Sequence, residues 1–131
     1  DNAVFAQLGV APATLDVVTA TADVISLHVP LVDSTRNMVD AACIAAMKKG
    51  AILINTARGG IVDEQAVAAA LRSGHLGGAA LDVFVEEPLK AAPHFEGCPN
   101  LLLTPHIAGV TRESNERVSS VIAAKVLEAL S

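Results

Sequence analysis

Aromatic side chains are scarce in this chain of 131 residues, which has three Phe, no Trp and no Tyr. Basic side chains are outnumbered as well, because 9 Lys and Arg stand against 14 Asp and Glu, for a formal net charge of −5. Binding to nucleic acid depends on basic groups that contact the phosphates and on aromatic rings that stack on the bases. The composition therefore argues against a nucleic-acid partner.

The chain also lacks long apolar runs and has only two cysteines, Cys43 and Cys98. No apolar run reaches the roughly 18 residues that a membrane helix needs, and no charged start followed by an apolar block indicates a signal peptide. Two cysteines outside any CxxC pair are typical of reduced cytoplasmic thiols. The four histidines have no helical metal-binding spacing. We therefore expect a cytoplasmic protein with neither a membrane segment nor a metal site.

Aliphatic side chains are abundant instead, and the chain is 52% hydrophobic. Such a composition is typical of parallel strands buried on both faces. Four apolar runs are predicted to be strands, and they cover 24–28, 51–55, 78–83 and 101–104. The helical patterns between them predict the crossovers of an α/β fold, with a parallel Rossmann-like sheet in a single domain.

Polar and glycine residues mark the helix ends. Asp40 is predicted to cap a helix over 41–49, and Asp63 a helix over 64–73, because an aspartate accepts hydrogen bonds from the free N–H groups of a first turn. Glycines at 50 and 74 are predicted to end these helices. The remaining predicted elements are the end of a helix over 1–9, a very short strand at Val10, a short helix over 15–22, an irregular loop over 88–99 and a long amphipathic helix over 111–130.

Polar side chains lie at the ends of the predicted strands or shortly after them, and they are His28, Arg58, Asp82, Glu87 and His106. Open α/β sheets bind ligands just outside the carboxyl ends of their strands. An arginine presents a planar fork that matches a carboxylate. A histidine paired with a carboxylate acts as an acid or a base near neutral pH. The sequence therefore predicts one site that holds a small acid and moves a proton.

Each of these residues has a plainer interpretation when it is taken alone. Arg58 fits a surface turn, Glu87 fits a solvated side chain, and His106 fits a half-buried structural histidine. Asp82 fits a turn former as well as an acceptor for a ligand. Of the other histidines, His28 is interpreted as structural or as lining a cofactor pocket. His75 and His94 are expected to be exposed.

Several stretches follow the pattern of one family. They are 28–31 with Thr35, 47–64, 78–84, 86–88, 100–101 and 104–109, which read HVPL, MKKGAILINTARGGIVDE, GAALDVF, EEP, NL and TPHIAG. In this order and spacing, which cover nearly the whole chain, they resemble the D-2-hydroxyacid dehydrogenase family.

The resemblance implies roles for individual residues. Arg58 would bind the carboxylate or oxo group of a substrate, His106 would be the acid and base, and Glu87 would orient that histidine. Family members bind NAD, and NADP is not excluded. The positions that match cofactor contacts are Val29, Pro30, Thr56, Ala57, Arg58, Asp82, His106, Ala108 and Gly109, with Asp82 at the nicotinamide end.

The activity that the resemblance implies is hydride transfer between NAD(P) and carbon 2 of a small D-2-hydroxy acid or 2-oxo acid, of the phosphoglycerate or hydroxypyruvate type. The full-length enzyme would be a homodimer. Two other classes stay open, an NAD-sensing corepressor-like binding protein and a catalytically inactive assembly fragment. Such corepressors carry a tryptophan soon after the histidine, where this chain has Ile107-Ala108-Gly109, so the sequence favours an enzyme. Formate dehydrogenases of the same fold have a glutamine in place of Glu87, so this glutamate argues against a formate dehydrogenase.

The family's Gly-x-Gly-x-x-Gly turn, its ribose-reading acidic residue and most of its substrate domain precede the part that this chain matches. We therefore expect residues 1–131 to be the second part of a dinucleotide-binding domain that lacks the first two strands and the substrate domain. Asp1 is not the ribose-reading acid in this alignment. The strand over 24–28 would then be a bare apolar edge. We expect the isolated chain to bind cofactor poorly and to be inactive.

Overall fold

A parallel four-stranded sheet forms the centre of the protein. The structure, a computed structural model, describes the backbone of residues 2–131 and the side chains of 4–131. The strands follow one another across the sheet in chain order, and they are β1 (Val24–Leu27), β2 (Ile52–Asn55), β3 (Gly78–Leu81) and β4 (Leu101–Leu103). The predicted α/β parallel fold is confirmed.

The register of the sheet brings all four strand ends to one line. Leu27 is paired with Asn55, Asn55 with Leu81, and Leu81 with Leu103. The loops that leave these four residues therefore start side by side at the same edge. This is the edge at which the sequence predicts a site.

Five α-helices surround or follow the sheet, and they are α1 (Asn2–Gln7), α2 (Leu15–Thr21), α3 (Ala41–Ala46), α4 (Glu64–Arg72) and α5 (Arg112–Leu130). The predicted caps are confirmed, since Asp40 accepts a hydrogen bond from Cys43 N at 2.8 Å and Asp63 accepts from Gln65 N and Ala66 N at 3.0 and 3.1 Å. A short 3₁₀ turn, Pro93–Phe95, interrupts the loop that was expected to be irregular.

Helix α3 ends three residues before its predicted end at 49. Met47 already has an extended backbone, with a ψ of 154°, and its side chain is buried in the core. Gly50 does not cap the helix: it has a φ of +86° and donates from its N–H to the carbonyl of His75. The burial of Met47 therefore takes the chain out of the helix, and Gly50 turns it into β2.

The very short strand predicted at Val10 is wrong. The N–H of Val10 donates to Phe5 O at 3.0 Å, and Gly9, with a φ of +65°, donates to Ala6 O. These two bonds close the C-terminus of α1, so Val10 belongs to a helix end. Asp1 lies outside the described residues.

The core lies between the sheet and helices α3 and α4. Leu53 of β2 is fully buried, as are Ile61 and Val67 beside it. By contrast, Val24 on β1 is 52% exposed, and β1 has no strand on its outer side among residues 2–131. The expected bare edge is confirmed.

Among the described residues, no helix is both long and apolar enough to cross a membrane.

Candidate active site

The loop after β2 is shaped by the last residue of that strand. Asn55 is buried, and its side chain accepts from Ala57 N and donates to Arg58 O, both at 3.0 Å. This closes a tight turn from which the exposed Arg58 side chain projects, with Nη1 donating to Ala57 O at 2.6 Å. Asn55 is not among the predicted site residues, although a polar residue that ends an apolar strand is a signal for such a turn.

Gly59 brings this loop against the loop that follows β3. A Cβ atom built on Gly59 would lie 1.7 Å from Phe84 O, so no residue with a side chain fits there without a shift of the backbone. The close approach at Gly59 thus serves a neighbouring loop. Gly60 has a φ of +80°, as the turn requires.

Glu87 and His106 form a hydrogen-bonded pair. His106 Nδ1 lies 2.8 Å from Glu87 Oε2, while Glu87 Oε1 accepts from Phe84 N at 2.9 Å. The hydrogen bond with His106 and then that from Phe84 N–H hold the pKa of Glu87 below its ordinary value. The carboxylate therefore stays ionised and fixes the Nδ1 side of the imidazole, which leaves Nε2 on the other side of the ring.

Asp82 fastens the loop that carries His106. Its carboxylate is buried and accepts from Thr104 Oγ1 at 2.5 Å and from Ile107 N and Ala108 N, both at 2.9 Å. Burial raises the pKa of Asp82, but these hydrogen bonds together outweigh it, and the net pKa is lowered. The Asp82 carbonyl also accepts from His106 N at 2.8 Å.

The backbone of His106 is itself unusual. Its φ is +54°, in the left-handed region that residues other than glycine seldom adopt. Non-glycine residues persist in this region only when their surroundings over-determine them, and the bonds to Asp82 supply that constraint. The direction of the imidazole is therefore set by the backbone as well as by Glu87.

Two cavities open at this edge of the sheet. The first measures about 570 Å³ and is lined by Phe84, Glu87, Pro88, Leu89, Leu103, Thr104, Pro105 and His106. The second measures about 320 Å³ and is lined by His28, Val29, Pro30, Thr56, Ala57 and Arg58. The structure thus brings Glu87 and His106 together in one cavity and groups Arg58 with the residues around Val29 in the other. Ala108 and Gly109 line neither of them.

Two histidines that were expected to be exposed are half-buried. His75 Nε2 lies 2.9 Å from Ile44 O, and His94 Nε2 lies 3.3 Å from Glu64 Oε2. Both contacts join residues that are at least 30 positions apart in the chain, so local sequence carries no signal for them.

Comparisons with known proteins identify the family of this chain. Residues 1–108 match the family model described as D-isomer specific 2-hydroxyacid dehydrogenase, NAD binding domain. The chain is 60% identical over 109 residues to (S)-sulfolactate dehydrogenase of Chromohalobacter salexigens, a match that covers 83% of this chain and 35% of that protein. It is 42% identical over 125 residues to D-3-phosphoglycerate dehydrogenase of Mycobacterium leprae, covering 95% of this chain and 24% of that protein.

A solved structure gives the same result. D-lactate dehydrogenase from Aquifex aeolicus, crystallised in complex with NAD and lactic acid, matches with a TM-score of 0.83 at 35% identity, over 97% of this chain and 42% of that one. The chain belongs to the D-isomer specific 2-hydroxyacid dehydrogenase family, whose members are NAD-dependent oxidoreductases, and its residues 1–108 match within their NAD-binding domain. It spans about a third or less of the length of the two relatives named above.

The residues of the second cavity suit the nicotinamide nucleotide that this domain binds. Val29, Pro30 and Ala57 offer an apolar wall for a flat ring, and Thr56 and Arg58 add polar groups beside it. The first cavity is lined by Glu87 and His106 together with apolar side chains such as Phe84 and Leu103.

Proposed function

We propose that this chain carries the acid and base of a dehydrogenase that oxidises a small 2-hydroxy acid, or reduces the 2-oxo acid, with NAD. The observation that carries the proposal is the Glu87–His106 pair, held at 2.8 Å beside a cavity at the carboxyl edge of the sheet. A dyad of this kind, oriented by an ionised carboxylate, is what transfer of a hydroxyl proton requires.

The chain's own residues divide the work of the reaction. Arg58, exposed at the neighbouring cavity, binds the substrate carboxylate through its planar fork. His106 Nε2 takes the proton from the 2-hydroxyl group, while Glu87 holds Nδ1 and stabilises the imidazolium that forms. Bound NAD supplies the acceptor for the hydride that leaves carbon 2. In the reverse direction, the protonated His106 donates to the oxygen of the 2-oxo acid.

The substrate that we propose is a small 2-hydroxy acid with a second anionic group. The support comes from two relatives, a sulfolactate dehydrogenase at 60% identity and a 3-phosphoglycerate dehydrogenase at 42%. We also propose that the full-length protein is a cytoplasmic homodimer. The free thiols of Cys43 and Cys98 fit a reducing compartment, and the exposed apolar side chains on α5 and β1 fit burial against further protein.

The test is steady-state kinetics of the full-length protein that contains this chain, with NADH and a panel of 2-oxo acids that includes sulfopyruvate, 3-phosphohydroxypyruvate, hydroxypyruvate and pyruvate. We expect turnover with the doubly anionic acids and a loss of kcat/KM of about 10²- to 10³-fold in Arg58→Ala, because the carboxylate loses its bidentate partner. Arg117→Ala, on the exposed face of α5, is the matched control.

Two results would contradict the proposal. Near-normal kinetics in Arg58→Ala would remove Arg58 from the substrate site. Tight NADH binding without turnover of any acid in the panel would favour an NAD-sensing binding protein.

A further inference from the structure

A second pair of glutamate and histidine lies outside both cavities. Glu64 is the first residue of α4, and only 13% of its side chain is exposed. Its Oε2 lies 3.3 Å from Nε2 of His94, whose side chain is 26% exposed. A carboxylate this well covered needs hydrogen-bond donors, and what it contacts indicates its role.

The stronger contact of Glu64 is to the loop that carries Glu87. Glu64 Oε1 accepts from Val85 N at 2.7 Å, across 21 positions of the chain. Val85 is 69% exposed, so its side chain is not packed in the core and does not hold the loop in place. The loop is therefore fastened at this point through its backbone, two residues before Glu87.

The loop around His94 is itself fixed on α4. Arg72 Nη2 donates to His94 O at 2.6 Å and to Glu96 O at 2.9 Å. Phe95 is buried and meets Phe84 edge-on, with ring centroids 6.5 Å apart. One end of α4 thus braces Phe84 through Phe95, and the other end holds Val85 through Glu64.

We infer that Glu64 is a positioning residue for the Glu87–His106 pair, because its hydrogen bond to Val85 N–H fixes the backbone from which Glu87 reaches His106. The inference rests on the proposed function and extends it to a residue that touches neither cofactor nor substrate. Phe84 N–H, adjacent to Val85, is one of the two donors that Glu87 accepts from, so loosening Val85 misplaces the carboxylate directly.

The experiment compares three variants of the full-length protein. Glu64→Ala removes the acceptor, Glu64→Gln keeps an amide oxygen for Val85 N–H, and Glu86→Ala removes an exposed carboxylate from the same loop as the control. The first readout is the titration of the Glu87 carboxyl carbon by ¹³C NMR, which needs no turnover. The second readout is kcat against pH, with the KM for NADH.

We expect the Glu87 titration to move upward in Glu64→Ala, because Glu87 loses well-placed bonds from Phe84 N–H and His106 and keeps its repulsion from Asp82. We expect kcat to fall about 10- to 100-fold, with its acid limb moved to higher pH and the KM for NADH unchanged. Glu64→Gln should restore most of both readouts, and Glu86→Ala should match the wild type.

An unmoved Glu87 titration in Glu64→Ala would overturn the inference, and so would a Glu64→Gln variant as impaired as Glu64→Ala. If Glu64→Ala does not fold, Glu64→Asp takes its place, since the shorter side chain keeps the charge and withdraws the acceptor. A wild-type protein without turnover would count against the proposed function alone, because the NMR titration still decides the role of Glu64.

Discussion

The loop over 104–108 and helix α5 lie only a few residues apart, yet they are held in opposite ways. The loop has four hydrogen bonds to Asp82, three to its carboxylate and one to its carbonyl. No residue of α5 is buried. The helix depends on local features instead, namely the Thr111 cap and exposed ion pairs such as Arg112–Glu116. The site is therefore preorganised by the sheet, whereas within residues 2–131 α5 is held by local contacts alone.

Among these predictions, the largest loss of stability should come from Asp82→Ala in the 131-residue chain, because it releases the loop over 104–108. The substitution leaves Thr104 Oγ1, Ile107 N and Ala108 N without their acceptor, and it should lower the free energy of unfolding by about 3 kcal/mol. Urea denaturation measures this, with Asp82→Asn expected to lose less. A loss below about 1 kcal/mol would show that the loop does not depend on this carboxylate.

The same substitution in two helices should give opposite signs. Val67 of α4 is fully buried, and Val67→Ala should cost about 2 kcal/mol through lost burial and an unfilled space. Val121 of α5 is 55% exposed, and Val121→Ala should change stability by no more than about 0.5 kcal/mol, in the stabilising direction, because alanine is the better helix former. Equal losses in the two variants would mean that α5 is packed in solution.

Acid should loosen the loop over 104–108 through the protonation of Asp82 and Glu87. Asp82 and Glu87 have pKa values below their ordinary 3.8 and 4.5, so their contribution to stability is complete above those values and is lost as the pH falls through the lower pKa values of the folded state. The pKa of Glu113 on α5 is also lowered, by its own backbone N–H and by Thr111, but this group is fully exposed and therefore screened.

Amide NMR of the chain between pH 5 and 2 separates the two regions. The resonances of 104–108 should shift and lose their dispersion as Asp82 and Glu87 become protonated, whereas those of α5 should keep their helical dispersion. Resonances of 104–108 that stay constant down to pH 2 would contradict the assignment of the acid-sensitive groups to the sheet edge.

The parts of the fold that depend on neighbouring residues could be predicted from the sequence. Asp40 and Asp63 cap their helices through N–H groups two or three positions away, and such signals are local. The strand at Val10 was a wrong prediction because a strand needs a partner, and its N–H is taken by the end of α1. The early end of α3 depends on where Met47 finds a buried position, which no local pattern encodes.

The candidate site, like the fold, could be predicted only where the signal lies in the local sequence. Residue types and strand ends were enough to select Glu87 and His106, and the structure places them in contact. The roles of Asn55 and Glu64 were missed, because each acts on backbone groups whose position depends on the folded loop. The prediction that Arg58 shares a site with His106 stays a prediction, since the structure places Arg58 in the adjacent cavity.

The contact between Gly59 and Phe84 O has a mechanical consequence. Because no side chain separates the backbone of Gly59 from that of Phe84, neither loop can move toward the other without displacing it. A displacement of the loop that carries Arg58 would therefore also press on the Phe84–Val85 peptide group, whose N–H donates to Glu64. The loop that carries Arg58 and the loop that carries Glu87 are thus coupled through their backbones, although the two side chains line separate cavities.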